Sequence, residues 1–142
     1  MKKMLIACAI TSIFCLKGVA QKINDADVPP AVKTSFEKLF PGKTAKWEKE
    51  DGNYEAGLKK DDKRMSATFQ PDGVFMESEI AIKESELPTL ALSYLQANYK
   101  GKKIKESAKI TSAAGVITYE AEVNGKDVIF DDRGKFLKEV KD

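Results

Sequence analysis

The sequence predicts an α+β protein: two tandem repeats of a helix followed by four strands, forming one antiparallel sheet with two helices on one face. The first observation is that a helical pattern opens at Val28-Pro29 and opens again at Leu87-Pro88. The second is that Tyr54-Glu55-Ala56 returns as Tyr119-Glu120-Ala121. The third is that the segments around these triplets alternate apolar and polar residues, as half-buried strands do. Matches in the same order along the chain indicate duplication of one unit.

Each predicted helix carries one apolar stripe and ends before a glycine. The stripe residues recur at helical spacing; they are Val32, Phe36, Leu39 and Phe40 in the first helix and Ala91, Leu95, Asn98 and Tyr99 in the second, with Asn98 the polar exception. Gly42 and Gly101 follow the stripes, and a proline stands near each start, which is the expected asymmetry of helix ends. We predict that Asp25 or Asp27 caps the first helix and that Ser85 caps the second.

The spacing between the two copies changes little along the chain. The offset is 59 residues over the helices, 65 at the Tyr-Glu-Ala triplets and 61 at the last turn, where Pro71-Asp72-Gly73 matches Asp132-Arg133-Gly134. Insertions and deletions therefore fall in loops. We predict a flexible lead-in over residues 21–27, the first repeat over residues 28–82 and the second over residues 83–142.

Each repeat contains four strand candidates separated by turn residues. They are Thr44–Glu50, Tyr54–Lys60, Arg64–Gln70 and Val74–Ile82, then Lys103–Ser112, Val116–Asn124, Lys126–Asp131 and Lys135–Lys141. Asn124-Gly125 between two alternating runs is a strong hairpin signal. Tyr54, Ala56 and Leu58 share one face, whereas Glu55 lies on the other. One apolar and one polar face are typical of an antiparallel sheet that is covered on one side only.

The N-terminus has the pattern of a secretory signal peptide over residues 1–20. Lys2 and Lys3 precede an apolar run from Met4 to Leu16, and small residues allow cleavage after Ala20. The run is shorter than the ~20 apolar residues of a membrane span. A lipoprotein cut before Cys8 would leave too short an apolar core. The sequence therefore predicts a periplasmic or secreted protein without a membrane span.

Composition excludes several classes of function. The formal charge is +2, and removal of Lys2, Lys3 and Lys17 with the leader leaves 21 basic residues against 22 acidic ones. That balance argues against a nucleic-acid-binding surface. Both cysteines, at positions 8 and 15, lie in the leader, so the mature chain has no disulfide and no thiolate nucleophile.

Catalytic and metal-binding residue types are scarce. The chain contains no histidine, the commonest general base and metal ligand. The acidic pairs Asp61-Asp62 and Asp131-Asp132 lack the ladder of a calcium loop and fit turns. Glu55 and Glu120 are equivalent and could form a catalytic carboxylate pair, but alternating charges are also usual on a solvated sheet face. We predict no catalytic residue, no cofactor and no metal.

Trp47 is the one tryptophan and has no aromatic counterpart, because Glu106 stands at the matching position. An unmatched aromatic residue could anchor a partner. It could equally belong to the core, since it has the strand parity of Ala45, whose counterpart is Ile104.

The set of motifs resembles a known family. Val28-Pro29, Phe40-Pro41-Gly42, Trp47-Glu48, Tyr54-Glu55-Ala56 and Pro71-Asp72-Gly73 together resemble the PepSY-like family of exported bacterial proteins. The resemblance covers the whole mature chain and implies a fold similar to that of the two-repeat protein inhibitors of β-lactamase. It also implies a non-enzymatic role, because PepSY modules are thought to restrain peptidases and the inhibitors grip an enzyme with the open sheet face. Inhibition of β-lactamase itself is not implied, since those inhibitors carry disulfides.

These observations favour a non-enzymatic periplasmic module that binds a protein or peptide on the polar sheet face. The candidate partner-binding residues are Trp47, Glu55, Thr68 and Glu120. The alternative is a periplasmic carrier of a small molecule or lipid, with a pocket between the sheet and the helices. A hydrolase using carboxylates is the third hypothesis. It would need a pair of carboxylates whose pKa values are shifted apart, and the sequence identifies no such pair.

Overall fold

The computed structural model describes residues 20–141. The predicted signal peptide lies outside the described residues, apart from Ala20. The helices are α1 (Pro30–Leu39) and α2 (Thr89–Asn98). The strands are β1 (Gln21–Ile23), β2 (Lys46–Glu50), β3 (Asn53–Lys60), β4 (Lys63–Phe69), β5 (Phe75–Ala81), β6 (Ile104–Ser112), β7 (Ile117–Val123), β8 (Lys126–Asp131) and β9 (Phe136–Lys141).

All nine strands form one antiparallel sheet in which the spatial order follows the chain order. The four strands of each repeat are therefore β2–β5 and β6–β9, and β5 pairs with β6 to join the repeats. Ala67 lies opposite Ser78, Ser78 opposite Thr111, and Thr111 opposite Ile117. Directly paired residues share a face, so this row carries one face of the sheet across the joint. The α+β architecture with two helices on one face is confirmed.

The first core is an aromatic cluster beneath α1. Phe36 of the helix packs edge-on against Trp47 with 5.3 Å between ring centroids, and it also contacts Phe69 at 6.5 Å. Val32 and Phe69 are fully buried and Trp47 is 5% exposed. Ala56 and Ala67 leave room for these rings on the sheet. Large aromatic residues supply most of the buried area of such a small core.

The second core under α2 uses equivalent positions with different side chains. Leu95 takes the place of Phe36, and Val128 and Phe130 form the sheet side. Tyr94 stacks on Phe136 at 4.5 Å between ring centroids with an angle of 7° between the planes. An irregularity between Ile104 and Glu106 shifts the register of β6, so Ser107 lies opposite Ala121 as Trp47 lies opposite Ala56. The counterpart of Trp47 is therefore Ser107, and the predicted match to Glu106 was wrong by one residue.

In each repeat, one glycine turn packs closely against the helix. Gly73 between β4 and β5 has φ +87°, and Gly134 between β8 and β9 has φ +88°. A Cβ at Gly73 would stand 2.5 Å from the carbonyl oxygen of Ala31, and one at Gly134 would stand 2.8 Å from the backbone nitrogen of Ala91. Both positions need glycine for its conformation and for the close approach of the helix.

The start of the described chain differs from the prediction. Residues 21–27 do not form a flexible lead-in, because Gln21–Ile23 is strand β1, which pairs with Trp47–Lys49 of β2. Asp25–Asp27 forms a 3-10 turn, and Glu84–Glu86 forms the equivalent turn before α2. The helices begin directly after Pro29 and Pro88, neither of which can cap with its side chain, so the predicted caps were wrong.

Neither of the two helices is long and apolar enough to cross a membrane, within residues 20–141.

Candidate functional site on the open sheet face

The face of the sheet opposite the helices is concave and holds a groove of about 930 Å³. The groove runs from the loop before β2 across β3–β7 to Asp127 of β8, so both repeats contribute to it. Its floor carries short side chains along two paired rows. Gly57 lies opposite Ser66, and Ala81 lies opposite Ala108. These short residues leave the centre of the groove open, with longer side chains around it.

The charges of the groove are divided between its two sides. We call lining residues 42–66 the first bank and lining residues 79–127 the second bank. The first bank has four cations and two carboxylates: Lys43, Lys46, Lys59 and Arg64 with Glu48 and Glu55. The second bank has five carboxylates: Glu79, Glu106, Glu120, Glu122 and Asp127. Its lining includes no lysine or arginine from the described part of the chain, so the groove is strongly polarised.

Two ion pairs involve carboxylates of the second bank. Arg64 of the first bank reaches across to Glu106 of the second, with 3.0 Å between nitrogen and oxygen. Both side chains are more than half exposed, at 69% and 51%. Lys105, beside the second bank, pairs with Glu122 at 2.7 Å. The exposed Arg64–Glu106 pair contributes little to stability, whereas Glu122 of the second pair is only 16% exposed.

Glu77 adds a further carboxyl to the open face, beyond the groove lining. It lies opposite Thr68, and Thr68 in turn lies opposite Glu55. The residue as a whole is exposed, but partial burial of its carboxyl among the strands raises its pKa above the ordinary value. The negative charge of Glu55 raises that pKa further, whereas Lys138 opposes the shift. Ionisation of Glu77 is therefore opposed first by burial and second by the nearby charge of Glu55.

Three of the four candidate residues lie on the open face. Glu55 and Glu120 line the same groove, one on each bank. Thr68 lies on the same face but outside the groove lining. Trp47 is different: it lies on the covered face against Phe36 and is 5% exposed. Trp47 therefore cannot contact a partner directly, and the alternative prediction, that Trp47 belongs to the core, is correct.

Sequence reasoning missed the polarity of the groove. Arg64, Glu79 and Glu122 have the strand parity of Glu55 and Glu120, so alternation alone could have placed them on the same face. Alternation does not predict the twist of the sheet, and this twist brings β2–β4 and β6–β8 to opposite sides of one groove.

The other site types considered have less structural support. An opening of about 410 Å³ lies between the end of α2 and the sheet, where a carrier would hold its ligand. Its lining combines apolar residues such as Leu95, Ile104 and Val123 with charged ones, Glu84, Lys100, Lys102 and Lys103. Its volume is less than half that of the groove. Across residues 20–141, no group of three or more histidine, cysteine, aspartate or glutamate side chains is arranged to hold a metal ion.

Fold and groove together define a small tandem-repeat α+β protein with one covered and one open sheet face. The sequence matches the family described as "Putative beta-lactamase-inhibitor-like, PepSY-like" over residues 16–77 and 61–138. The chain belongs to this family, and the two matched regions agree with the tandem architecture. Comparison with curated proteins gave no match.

Solved structures share the fold at low sequence identity. A protein from Bacteroides eggerthii, described among "putative periplasmic proteins", is 14% identical with a TM-score of 0.72, covering 80% of this chain and 88% of its own. A DUF2874 family protein from Bacteroides ovatus is 16% identical with a TM-score of 0.71, covering 81% and 89%. A BLIP-like protein from Bacteroides fragilis is 21% identical with a TM-score of 0.63, covering 78% and 84%. At these identities the likeness shows the fold alone.

Proposed function

We propose that this protein is a non-enzymatic, exported binding module that holds a protein or peptide partner against the open face of its sheet. The observation that carries the proposal is the concave groove of about 930 Å³ to which both repeats contribute. The opposite face is closed by α1 and α2, so the open face is the broad surface left for a partner.

The chemistry of the groove supports binding rather than catalysis. The chain has no histidine, and its two cysteines precede the described residues. The groove offers carboxylates, lysines, an arginine and short floor residues, which are groups that recognise a polypeptide through charge and hydrogen bonds. The inhibitor-like description of the family supports the same role.

Export to the periplasm is part of the proposal. The predicted signal peptide over residues 1–20 supports it, and so does the description of a structural neighbour as periplasmic. A partner would therefore be another exported or membrane-anchored protein that exposes a segment to the periplasm.

Site-specific photo-crosslinking tests the proposal in the native host. A photoreactive phenylalanine analogue is placed at Ser66 or Ile110 on the open face and, as a matched control, at Ser93, which is exposed on α2. We expect the same protein adduct, identified by mass spectrometry, from Ser66 and Ile110 and not from Ser93. Adducts from Ser93 alone, or no adduct from any position in a folded variant, would contradict docking on the open face.

A further inference from the structure

We infer that the outer edge of strand β9 is a second interaction surface, which takes an extended acidic segment of a partner polypeptide as an added antiparallel strand. This surface is separate from the groove, and the inference does not depend on the proposed function. It follows from the equivalence of β9 and β5, from the apolar side chains beside β9 and from the lysines along it.

Strand β9 is the counterpart of β5 in the second repeat. Each begins at a phenylalanine that pairs with a buried phenylalanine of the preceding strand, and each shows a register shift there: Phe75 lies opposite Phe69, and Phe136 lies opposite Phe130. Strand β5 pairs with β4 on one side and with β6 on the other. Strand β9 is last in the sheet order and pairs with β8 alone within residues 20–141. The edge that β6 covers in the first repeat is therefore open in the second.

The hydrogen bonds between β5 and β6 show which backbone groups of β5 are used. The nitrogen of Ile82 donates to the carbonyl oxygen of Ser107 at 2.9 Å. The nitrogen of Ala113 donates to the carbonyl oxygen of Met76 at 2.7 Å. Backbone groups along an antiparallel strand point alternately to its two neighbours. Every second residue from Met76 to Ile82 therefore directs its backbone groups toward β6.

The same alternation identifies the backbone groups at the open edge of β9. The pairs made by Phe75 and Phe136 set an offset of 136 − 75 = 61 residues between the two strands. Three residues of β9 therefore direct their backbone groups outward: Leu137, Glu139 and Lys141. Lys138 and Val140 direct theirs toward β8. An extended segment can bond to the outward groups as β6 bonds to β5.

Exposed apolar side chains flank this edge. Tyr94 of α2 stacks on Phe136, the first residue of β9, and Leu90 lies one helical turn before Tyr94. Leu90 is 59% exposed and Leu137 is 50% exposed. The equivalent helix positions of the first repeat, where the sheet continues into β6, hold shorter side chains, Ala31 and Ser35. The open end therefore carries the larger apolar side chains, which an added strand can bury.

Charge complementarity selects an acidic segment. Three exposed lysines on or directly before β9 make no ion pair within the described chain: Lys135, Lys138 and Lys141. The carboxylate of β9, Glu139, is held by Lys126 at 2.5 Å and also accepts a hydrogen bond from the hydroxyl of Tyr99. Positive charge is therefore in excess along the edge, and it attracts acidic side chains of an added strand.

A second copy of the chain is disfavoured as the occupant. Antiparallel pairing of two β9 strands about residue 138 or residue 139 sets Lys138 against Lys138 or Glu139 against Glu139. Like charges directly opposite each other are destabilising. Charged side chains, lysine above all, also protect edge strands from pairing with their own kind.

A synthetic peptide tests the inference on the folded protein. The probe is a hexapeptide of alternating valine and glutamate, its control has lysine in place of glutamate, and binding is followed by NMR titration with amide hydrogen exchange. We expect the glutamate peptide to slow exchange of the Glu139 and Lys141 amides, which face the open edge. The Lys138 and Val140 amides, already paired with β8, should change little. Affinity should fall as salt is raised, and the lysine peptide should give no comparable protection.

Matched variants separate the backbone from the side chain. Glu139→Pro and Glu139→Ala both lose the contacts with Lys126 and Tyr99, but only the proline removes the outward N–H, at an edge position where proline is tolerated. We expect the proline variant to bind the glutamate peptide about five- to tenfold more weakly than the alanine variant. Lys138→Gln should weaken binding about two- to fivefold, whereas Lys60→Gln, on β3, should leave it unchanged. Thermal melting checks that each variant is folded.

The outcomes decide the inference independently of the groove. Protection of open-face residues without protection of Glu139, or equal affinities of the folded proline and alanine variants, would overturn it. Stronger binding of the lysine peptide, or self-association through β9 seen by size-exclusion chromatography, would also overturn it. If Glu139→Pro does not fold, the amide exchange of the unmodified protein decides. Crosslinks from Ser66 and Ile110 test the groove alone and do not affect this result.

Discussion

Ser107 occupies in the second repeat the place that Trp47 fills in the first. Each lies directly opposite the alanine of its Tyr-Glu-Ala triplet, Ala56 for Trp47 and Ala121 for Ser107. Both residues are buried, at 5% and 8% exposure. One position of the duplicated unit therefore carries the largest side chain of one core and a small hydroxyl in the other, which makes the two halves energetically unequal.

Trp47→Ala is expected to destabilise the protein by about 3–5 kcal/mol, because it removes a buried ring that packs on Phe36 and Phe69. Urea unfolding measures the loss. Trp47→Phe keeps part of the ring volume and should cost clearly less. A loss below about 1 kcal/mol for the alanine variant would mean that the ring does not support the core.

Ser107→Ala is expected to stabilise the protein by about 1 kcal/mol, because the buried Ser107 hydroxyl has no hydrogen-bond partner among the described residues. Thermal or urea unfolding checks the gain. Ser93→Ala is the matched control, since Ser93 is exposed and its hydroxyl donates to the carbonyl oxygen of Thr89 at 3.0 Å. A marked loss of stability in Ser107→Ala would show that the hydroxyl is satisfied in solution.

Gly73→Ala and Gly134→Ala are each expected to cost about 2–4 kcal/mol, since the added methyl group meets helix atoms in a left-handed backbone conformation. Gly115→Ala is the control for conformation alone. Gly115 has φ +80° but nothing within 4 Å of the added Cβ, so about 1–2 kcal/mol is expected. Equal losses at all three positions would remove the helix contact from the explanation.

Tyr99 should make the protein sensitive to alkali. Burial of the phenol, together with its hydrogen bond to the carboxylate of Glu139, raises the pKa of Tyr99 to about 12 from an ordinary 10.0. The unfolded chain ionises first, so this contribution to stability is complete below pH 10 and is lost as the pH rises toward 12. Ultraviolet titration against Tyr99→Phe isolates the group. Glu139→Gln should lower the pKa of Tyr99, and an unchanged midpoint would argue against the contact.

The pKa of Glu77 responds to burial and to the neighbouring charge of Glu55 on the open face. Burial first and the Glu55 charge second raise the pKa of Glu77 above its ordinary 4.5, so the stability linked to this group is present below that pH and lost as the pH rises through the raised value. Glu55→Gln should move the pKa of Glu77 part of the way back, as seen by carboxyl carbon NMR. A pKa of Glu77 that does not respond would place the two carboxylates farther apart than the register implies.

The sequence was informative about the fold where alternation and turn residues agree. The predicted strand Lys126–Asp131 matches β8 at both ends, and the other predicted strands that follow the helices differ by at most two residues at an end. Tyr54 and Tyr119 lie at equivalent places, opposite Phe69 and Phe130, as the repeat requires.

The sequence was uninformative where structure depends on long-range pairing. Strand β1 has three residues and no alternation to signal it, and it forms because β2 offers a free edge. The irregularity at Lys105 also has no local signal, yet it sets Glu106 opposite Glu122 and Ser107 opposite the core residue Ala121. Glu55 and Glu120 could be placed on one face from parity, but the groove between them depends on the twist of nine paired strands.

The pairing of β5 with β6 has a consequence for how the chain can be divided. A polypeptide cut within residues 82–84 would leave each fragment with an edge strand, β5 or β6, that is paired on one side only and whose free backbone groups would pair with a new neighbour. Fragments produced together should therefore reassemble through this seam, and each produced alone should associate with copies of itself. The duplication thus built a molecule whose halves resemble each other but depend on the β5–β6 pairing to cover one strand edge of each half.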